Sequence, residues 1–254
     1  MRYSFQVDIK RGLLSVRFAL AILLCTAIYW LGSIPETGAT DLLYILDASI
    51  SFSAFYHLLP IVAVLPFATS FLEDCKTGYA TLILQRVTIR QYLTVRFFAA
   101  ALIGALATLL GMFLFLILLP ITHPYACLPN PSEATAIYAY MDEIVRSGNW
   151  FFYFGFYAVL QGLSALMWSS IALMLSTFAG SMQILYLSVV LLMEVLSRVL
   201  FSFNLEHVIS YATGSIDRNS PFHVIAEASC VMLGITLLCG LAYYALGKRR
   251  LLRA

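Results

Sequence analysis

Residues 97–121 run FFAAALIGALATLLGMFLFLILLPI, a stretch without a single charged side chain. Coiled as an α-helix at 1.5 Å per residue it is about 37 Å long, enough to cross a hydrocarbon core about 30 Å thick. Backbone groups in lipid must satisfy one another, and a helix does this within its own segment. The run therefore predicts a transmembrane helix. Working outward, apolar runs at 16–31, 51–72, 150–178, 183–201 and 223–246 predict five more. The expectation is an all-α polytopic membrane protein of six crossings, one transmembrane domain over 1–254. The fourth and fifth runs are separated only by Ala179-Gly180-Ser181-Met182. Merged, they would make a run of about 50 residues, far beyond one crossing, and Gly180 with Ser181 supplies turn chemistry.

Composition agrees. Of 254 residues, 61% are apolar and 11% charged, against about 25% charged in soluble domains; the mean hydropathy is +0.89. A soluble globular enzyme is excluded, and so is a disulfide scaffold. Cys25, Cys230 and Cys239 lie in apolar runs as small hydrophobes, and Cys75 and Cys127 fall in different loops. The basic-then-apolar start also fits a signal peptide, but no A-x-A-type cleavage site follows it.

The charges predict an orientation. Arg2, Lys10, Arg11 and Arg17 precede or open the first run, Lys76, Arg86, Arg90 and Arg96 join the second to the third, and Lys248, Arg249, Arg250 and Arg253 end the chain. These are twelve of the fifteen basic residues. The opposite loops hold Arg146 and Arg218 among Glu36, Asp41, Asp47, Glu133, Asp142, Glu143, Glu206 and Asp217. By the positive-inside rule both termini are expected in the cytoplasm. The expected location is the plasma membrane, on this reading the inner membrane of a bacterium.

In the longest outer connection Ile137, Tyr140, Met141, Ile144 and Val145 recur at helical spacing. A short amphipathic helix is expected, from near Ser132 to Gly148, either a lid over an exit or a helix resting on the membrane surface. Trp150, Phe151, Phe152, Tyr153, Phe154, Phe156 and Tyr157 follow it, as an interfacial aromatic belt would.

The inner connection, residues 73–92, reads EDCKTGYATLILQRVTIRQY. The acidic pair Glu73-Asp74 closes the second crossing. Tyr79, Leu82 and Ile83, at helical spacing after Gly78, predict a short helix. Thr88 and Gln91 form a T-x-x-Q capping box that starts the helix of the third crossing. A small amphipathic helix is thus held between two membrane helices, where it can transmit force from a soluble partner.

Here the chain resembles the membrane subunits of type 2 ATP-binding-cassette (ABC) exporters. These join the second and third crossings by a stretch of the form E-x-x-x-G-T-x-x-x-L-L, then a short turn, an arginine and a basic third helix. Matching it are Glu73 or Asp74, Gly78, Leu82 and Leu84, then Arg86, Thr88, Arg90, Tyr92 and Arg96. Tyr79 stands where the family often has threonine and Val87 where proline is common. The six-helix plan and the basic elbow before the first helix extend the likeness over the chain. The resemblance implies a permease subunit that pairs with a second one, identical or homologous, each docking on one of two copies of an ABC ATPase. The residues it implies for coupling are Glu73, Gly78, Tyr79, Ala80, Thr81, Leu82, Leu84, Arg86 and Thr88. ATP and Mg are expected on the ATPase, with no cofactor on this chain: the sequence has no G-x-x-x-x-G-K-[ST] loop, and six crossings leave no room for a nucleotide-binding domain.

Ionisable groups at membrane depth are functional candidates. Glu194 and Arg198, four apart on the fifth run, are expected to pair, as a structural or dimer-seam ion pair or as a polar contact for cargo. His57, three residues before Pro60, is either a cargo contact or a hydrogen-bonded structural residue. Glu227 has an interfacial explanation. Pro60 and Pro66 are expected to kink the second helix. Ala100, Gly104 and Thr108, at four-residue spacing, predict close helix packing. His57, His123, His207 and His223 are scattered without paired-ligand spacing, so no metal site is expected.

The leading expectation is a permease that exports a hydrophobic or amphipathic cargo, such as a bacteriocin-like peptide, a drug or a lipid, and is not itself an enzyme. The alternatives are an intramembrane lipid-modifying enzyme, which needs a nucleophile that the Glu194–Arg198 pair lacks, and a membrane assembly factor without transport. No nucleic-acid partner is expected.

Overall fold

A computed structural model describes residues 2–36, 42, 45, 46, 49, 56–124, 150–202 and 221–253. The expected outer amphipathic helix over 132–148 and the first residues of the second crossing lie outside them. The described residues are helical, without strands.

The chain opens with α1 (Arg2–Leu13), an elbow carrying Lys10 and Arg11 in its last turn. Ser15 then caps α2 (Val16–Ser33), accepting from the Phe18 N–H at 3.1 Å while its hydroxyl donates to the Gly12 carbonyl at 2.7 Å. One side chain thus closes one helix and opens the next.

The second apolar run is not one helix. After a 3₁₀ turn at Tyr56–Leu58 come α3 (Leu59–Val64), a turn over residues 65–69, and α4 (Ser70–Lys76). The prolines account for the breaks. Pro60 lies at the start of α3, where its missing N–H costs nothing, whereas Pro66 removes an interior donor and ends the helix just before it.

Gly78 takes φ +72°, the left-handed region that glycine enters without penalty, and opens the six-residue α5 (Tyr79–Leu84). The capping box expected at Thr88 and Gln91 is formed, with the Gln91 N–H on Thr88 Oγ1 at 3.3 Å. It starts α6 (Ile89–Thr122), eight residues ahead of the apolar run, so Arg96 lies two turns inside the helix rather than in the loop. The chain continues as α7 (Trp150–Leu175), α8 (Met182–Ser202) and α9 (Pro221–Arg253). α7 and α8 are separate helices: Ser176–Phe178 turn, and the Ser181 side chain accepts the Ile184 N–H at 3.2 Å.

Among the described residues four helices are long and apolar enough to cross a membrane: Val16–Ser33, Ile89–Thr122, Phe151–Leu175 and Ala226–Leu252. Met182–Leu196 is a shorter apolar helix. The architecture is that of a multi-pass membrane protein.

α6 is the central helix, packed on α1, α2, α3, α7 and α9. The small-residue stripe makes this possible. A Cβ added at Gly104 would fall 2.0 Å from Ser169 Oγ on α7 and 2.6 Å from the Ala63 carbonyl on α3. Ser169 Oγ itself donates to that carbonyl at 2.9 Å. Three segments therefore meet at one glycine. One turn on, the Thr108 carbonyl lies 3.5 Å from Cys25 Sγ, and the Gly111 carbonyl accepts from Thr26 Oγ1 at 3.0 Å, tying α2 to the same face. With lipid tails as apolar as leucine, such close approach and interhelical hydrogen bonding do the work that burial from water does in soluble cores. The aromatic run at the start of α7 divides: Phe151 and Phe152 are exposed, while Tyr153, Phe156 and Tyr157 turn into the core.

The basic ends gather on one side. Arg250 near the end of α9 donates to the Ser176 and Thr177 carbonyls at 2.8 and 2.9 Å, satisfying groups that the end of α7 leaves open. Gly247 lies against Leu93 and Phe71, and α1 packs on the start of α6. Both ends of the described chain therefore lie at the same end of the bundle.

Candidate functional site

The adjacent acids Glu73 and Asp74 point to different partners, and together they fasten the α4–α5 segment to three other helices. Asp74 is fully buried. Its Oδ1 accepts from Arg11 Nη1 of the elbow at 3.0 Å, and its Oδ2 from the Tyr92 hydroxyl of α6 at 2.9 Å and from Arg96 Nη2. Glu73 accepts from Arg17 Nη1, at the start of α2, and from Thr69 Oγ1 at 2.7 Å; Arg17 also donates to Thr69 Oγ1 at 3.1 Å.

Arg96 is the hub, with its guanidinium fully buried. Beside Asp74, it has Asp8 Oδ1 of α1 at 3.2 Å from Nη1, an ion contact outside hydrogen-bond geometry. The faces of Phe67 and Tyr92 lie 5.2 Å from its guanidinium carbon. Formal charges balance: Asp8 and Asp74 against Arg11 and Arg96, and Glu73 against Arg17. A buried charge without such compensation costs several kcal/mol.

The two less enclosed acids respond oppositely. Burial raises the Asp8 carboxyl above its ordinary range, outweighing the attraction of Arg96. Burial also pushes Glu73 up, but the hydrogen bonds from Arg17 and Thr69 and the charges of Arg17 and Arg11 together bring it below its ordinary value.

On this fastened base α5 presents an apolar face to the outside. Ala80 is buried against the core and Leu84 packs on it, whereas Tyr79 is 40% and Leu82 59% exposed. Arg11 lies over the Tyr79 ring at 5.3 Å, so the residue that grips Asp74 also steadies Tyr79. Thr81, Gln85, Arg86 and Thr88 are exposed around them. The nine residues singled out from the sequence thus form one segment with two roles: Glu73, Ala80 and Leu84 anchor it inward, Tyr79, Thr81, Leu82 and Arg86 face outward, and Gly78 and Thr88 set its two turns.

The intramembrane candidates are brought together differently from their spacing. Glu194 Oε1 lies 3.6 Å from His57 Nδ1, across from α8 to the 3₁₀ turn ahead of α3. Arg198 is exposed, and among the described residues no ion pair joins it to Glu194. A residue of another segment, rather than the one four residues along, stands beside the Glu194 carboxylate.

Sequence reasoning missed Arg11, Arg17, Tyr92 and Arg96 as ligands of the acidic pair, and Asp8 as the second acid beside Arg96. A signal was present: Arg96 adjoins the apolar run 97–121, and a buried arginine needs a carboxylate. On the same side Asp8, Glu73 and Asp74 were the acids at hand.

Comparison with family models, with curated proteins and with solved structures finds no match for the chain.

Proposed function

We propose that the chain is the permease subunit of an ABC exporter, working as a pair of permeases on two copies of an ATPase subunit that bind ATP and Mg. The basic end faces the cytoplasm, with both termini there, and six segments cross the membrane, the second in the two pieces α3 and α4. α5 is the coupling helix. The observation that carries this reading is the exposed Tyr79–Leu82 face on a six-residue helix whose base is tied by ion pairs to α1, α2 and α6, the one to α6 fully buried. A short exposed helix on a soft tether would absorb a push; one fastened by ion pairs to three helices passes it on.

Closure of the ATPase pair displaces α5. Through Asp74 the displacement reaches Arg96 and α6, through Glu73 it reaches Arg17 and α2, and through α4 it reaches the Pro66 break. The break lets the outer piece of the second crossing, with His57 and its neighbour Glu194, move apart from the inner piece. Cargo affinity then differs between the two arrangements, as any driven shift requires. The cargo is hydrophobic or amphipathic. Transport is tested by reconstituting the chain with its ATPase in vesicles: ATP-dependent accumulation of an amphipathic peptide or drug supports the reading, and accumulation independent of ATP contradicts it.

A further inference from the structure

Away from the coupling segment, a cavity of about 360 Å³ opens between the start of α6 and residues 237–244 of α9. Phe97, Leu237 and Leu241 line its apolar part, and Arg90, Thr94 and Tyr244 its basic end. The floor is closed because Gly240 lies against the Phe97 ring: a Cβ there would meet Phe97 Cζ at 2.8 Å. The Tyr243 ring, stacked on Phe97 at 6.4 Å and edge-on to Phe71 at 5.3 Å, fixes that wall.

Leu237 and Leu241 are 66% and 70% exposed on a helix apolar enough to cross a membrane, so this part of the groove faces acyl chains. At its end the character changes. Arg11, Arg17 and Arg96 are paired with carboxylates and Arg250 with two carbonyls, but no described carboxylate pairs with Arg90. Lys248, four residues beyond Tyr244 and seven beyond Leu241, falls on the same face of α9 and is exposed. An apolar trough thus ends in an amphipathic tyrosine and Arg90, with Lys248 one turn beyond on the same face of α9.

We propose that this groove is a binding site for an anionic phospholipid of the leaflet at the basic end. One acyl chain lies along Phe97, Leu237 and Leu241, and the phosphate sits between Arg90 and Lys248. A second copy of the chain is the less fitting occupant, because a two-fold contact here would bring the same cations face to face. The site requires α6 and α9 to span the bilayer and is independent of what powers the protein.

The test uses the full chain in phosphatidylcholine vesicles, with Leu241→Trp as a fluorescent reporter and the wild type as background. Brominated phosphatidylglycerol is expected to quench the introduced indole at a roughly thirtyfold lower mole fraction than brominated phosphatidylcholine, about fivefold for each of the two cations that attract an anionic lipid. Arg90→Gln with Lys248→Gln abolishes that preference, while Lys10→Gln, an exposed cation of the elbow, leaves it intact. Equal quenching by the two lipids, a preference surviving in the double variant, or protection from both lipids with dimer formation overturns the proposal. Should Leu241→Trp fail to fold, native mass spectrometry of the wild type gives the same decision. Retained phosphatidylglycerol lost in Arg90→Gln/Lys248→Gln supports the site, and equal retention refutes it.

Discussion

The Asp74 carboxylate sits against the Arg96 guanidinium with neither side chain exposed, joining α4 to α6. The pair is balanced by Asp8 and Arg11, so removing one member leaves a buried charge uncompensated. Arg96→Leu is expected to destabilise the protein by about 3–5 kcal/mol, seen as a lower thermal midpoint in detergent. Adding Asp74→Leu recovers part of the loss, because Asp8 and Arg11, which attract one another, then remain with equal and opposite charge. Equal stability of Arg96→Leu and wild type contradicts this account of the cluster.

Stability against pH follows from the two shifted acids. Glu73 has a folded value below its ordinary 4.5, so its contribution is complete above that value and is lost as pH falls through the folded one. Asp8 is shifted upward, so its contribution has the opposite sign: the protonated form favours the fold, and stability declines as pH rises from the ordinary value of 3.8 through the folded one. Thermal midpoints across the acid range should therefore lose their low-pH fall in Glu73→Gln. Asp8→Asn should remove the decline on the other side. The reverse assignment would show the shifts to be misattributed.

Helix packing rests on the absence of a side chain at Gly104. Gly104→Ala forces a methyl group onto Ser169 Oγ and the Ala63 carbonyl, a cost of about 1–3 kcal/mol typical of overpacking. Ser169→Ala relieves the first clash but not the second, so the double variant is expected to fall between the wild type and Gly104→Ala. Strict additivity of the two substitutions, measured by thermal or denaturant unfolding, would mean that the side chains do not meet.

What could be read from the sequence was what neighbouring residues decide together. The Thr88–Gln91 capping box, the helix after Gly78, the Gly180–Ser181 break and the Ala100–Gly104–Thr108 stripe each involve residues within one or two turns, and local pattern fixes them. The partners of the acidic pair were not legible, because Arg11 and Arg17 lie 63 and 56 residues away from the acids they bind. Only the folded chain brings them together. Glu194 shows the converse: four-residue spacing favoured Arg198, yet His57 of another segment took the place beside it. Pro66 was recognised as a disturbance, but whether a membrane proline kinks a helix or divides it depends on the neighbours that accommodate the freed carbonyl. Here the division falls just above the segment that carries Glu73 and Asp74.

In the proposed coupling this chain is driven from its basic end through Tyr79 and Leu82. ATP hydrolysis by the complex captured from native membranes, with the wild-type chain or with Leu82→Asp, decides it. Leu82 is largely exposed, so the variant should keep the thermal midpoint of the wild type. A hydrolysing companion is expected on the wild-type chain, with a loss of at least about tenfold in captured activity with Leu82→Asp, as when a charge enters an apolar contact. Hydrolysis unchanged by the substitution, or a wild-type chain that captures no ATPase, would contradict it.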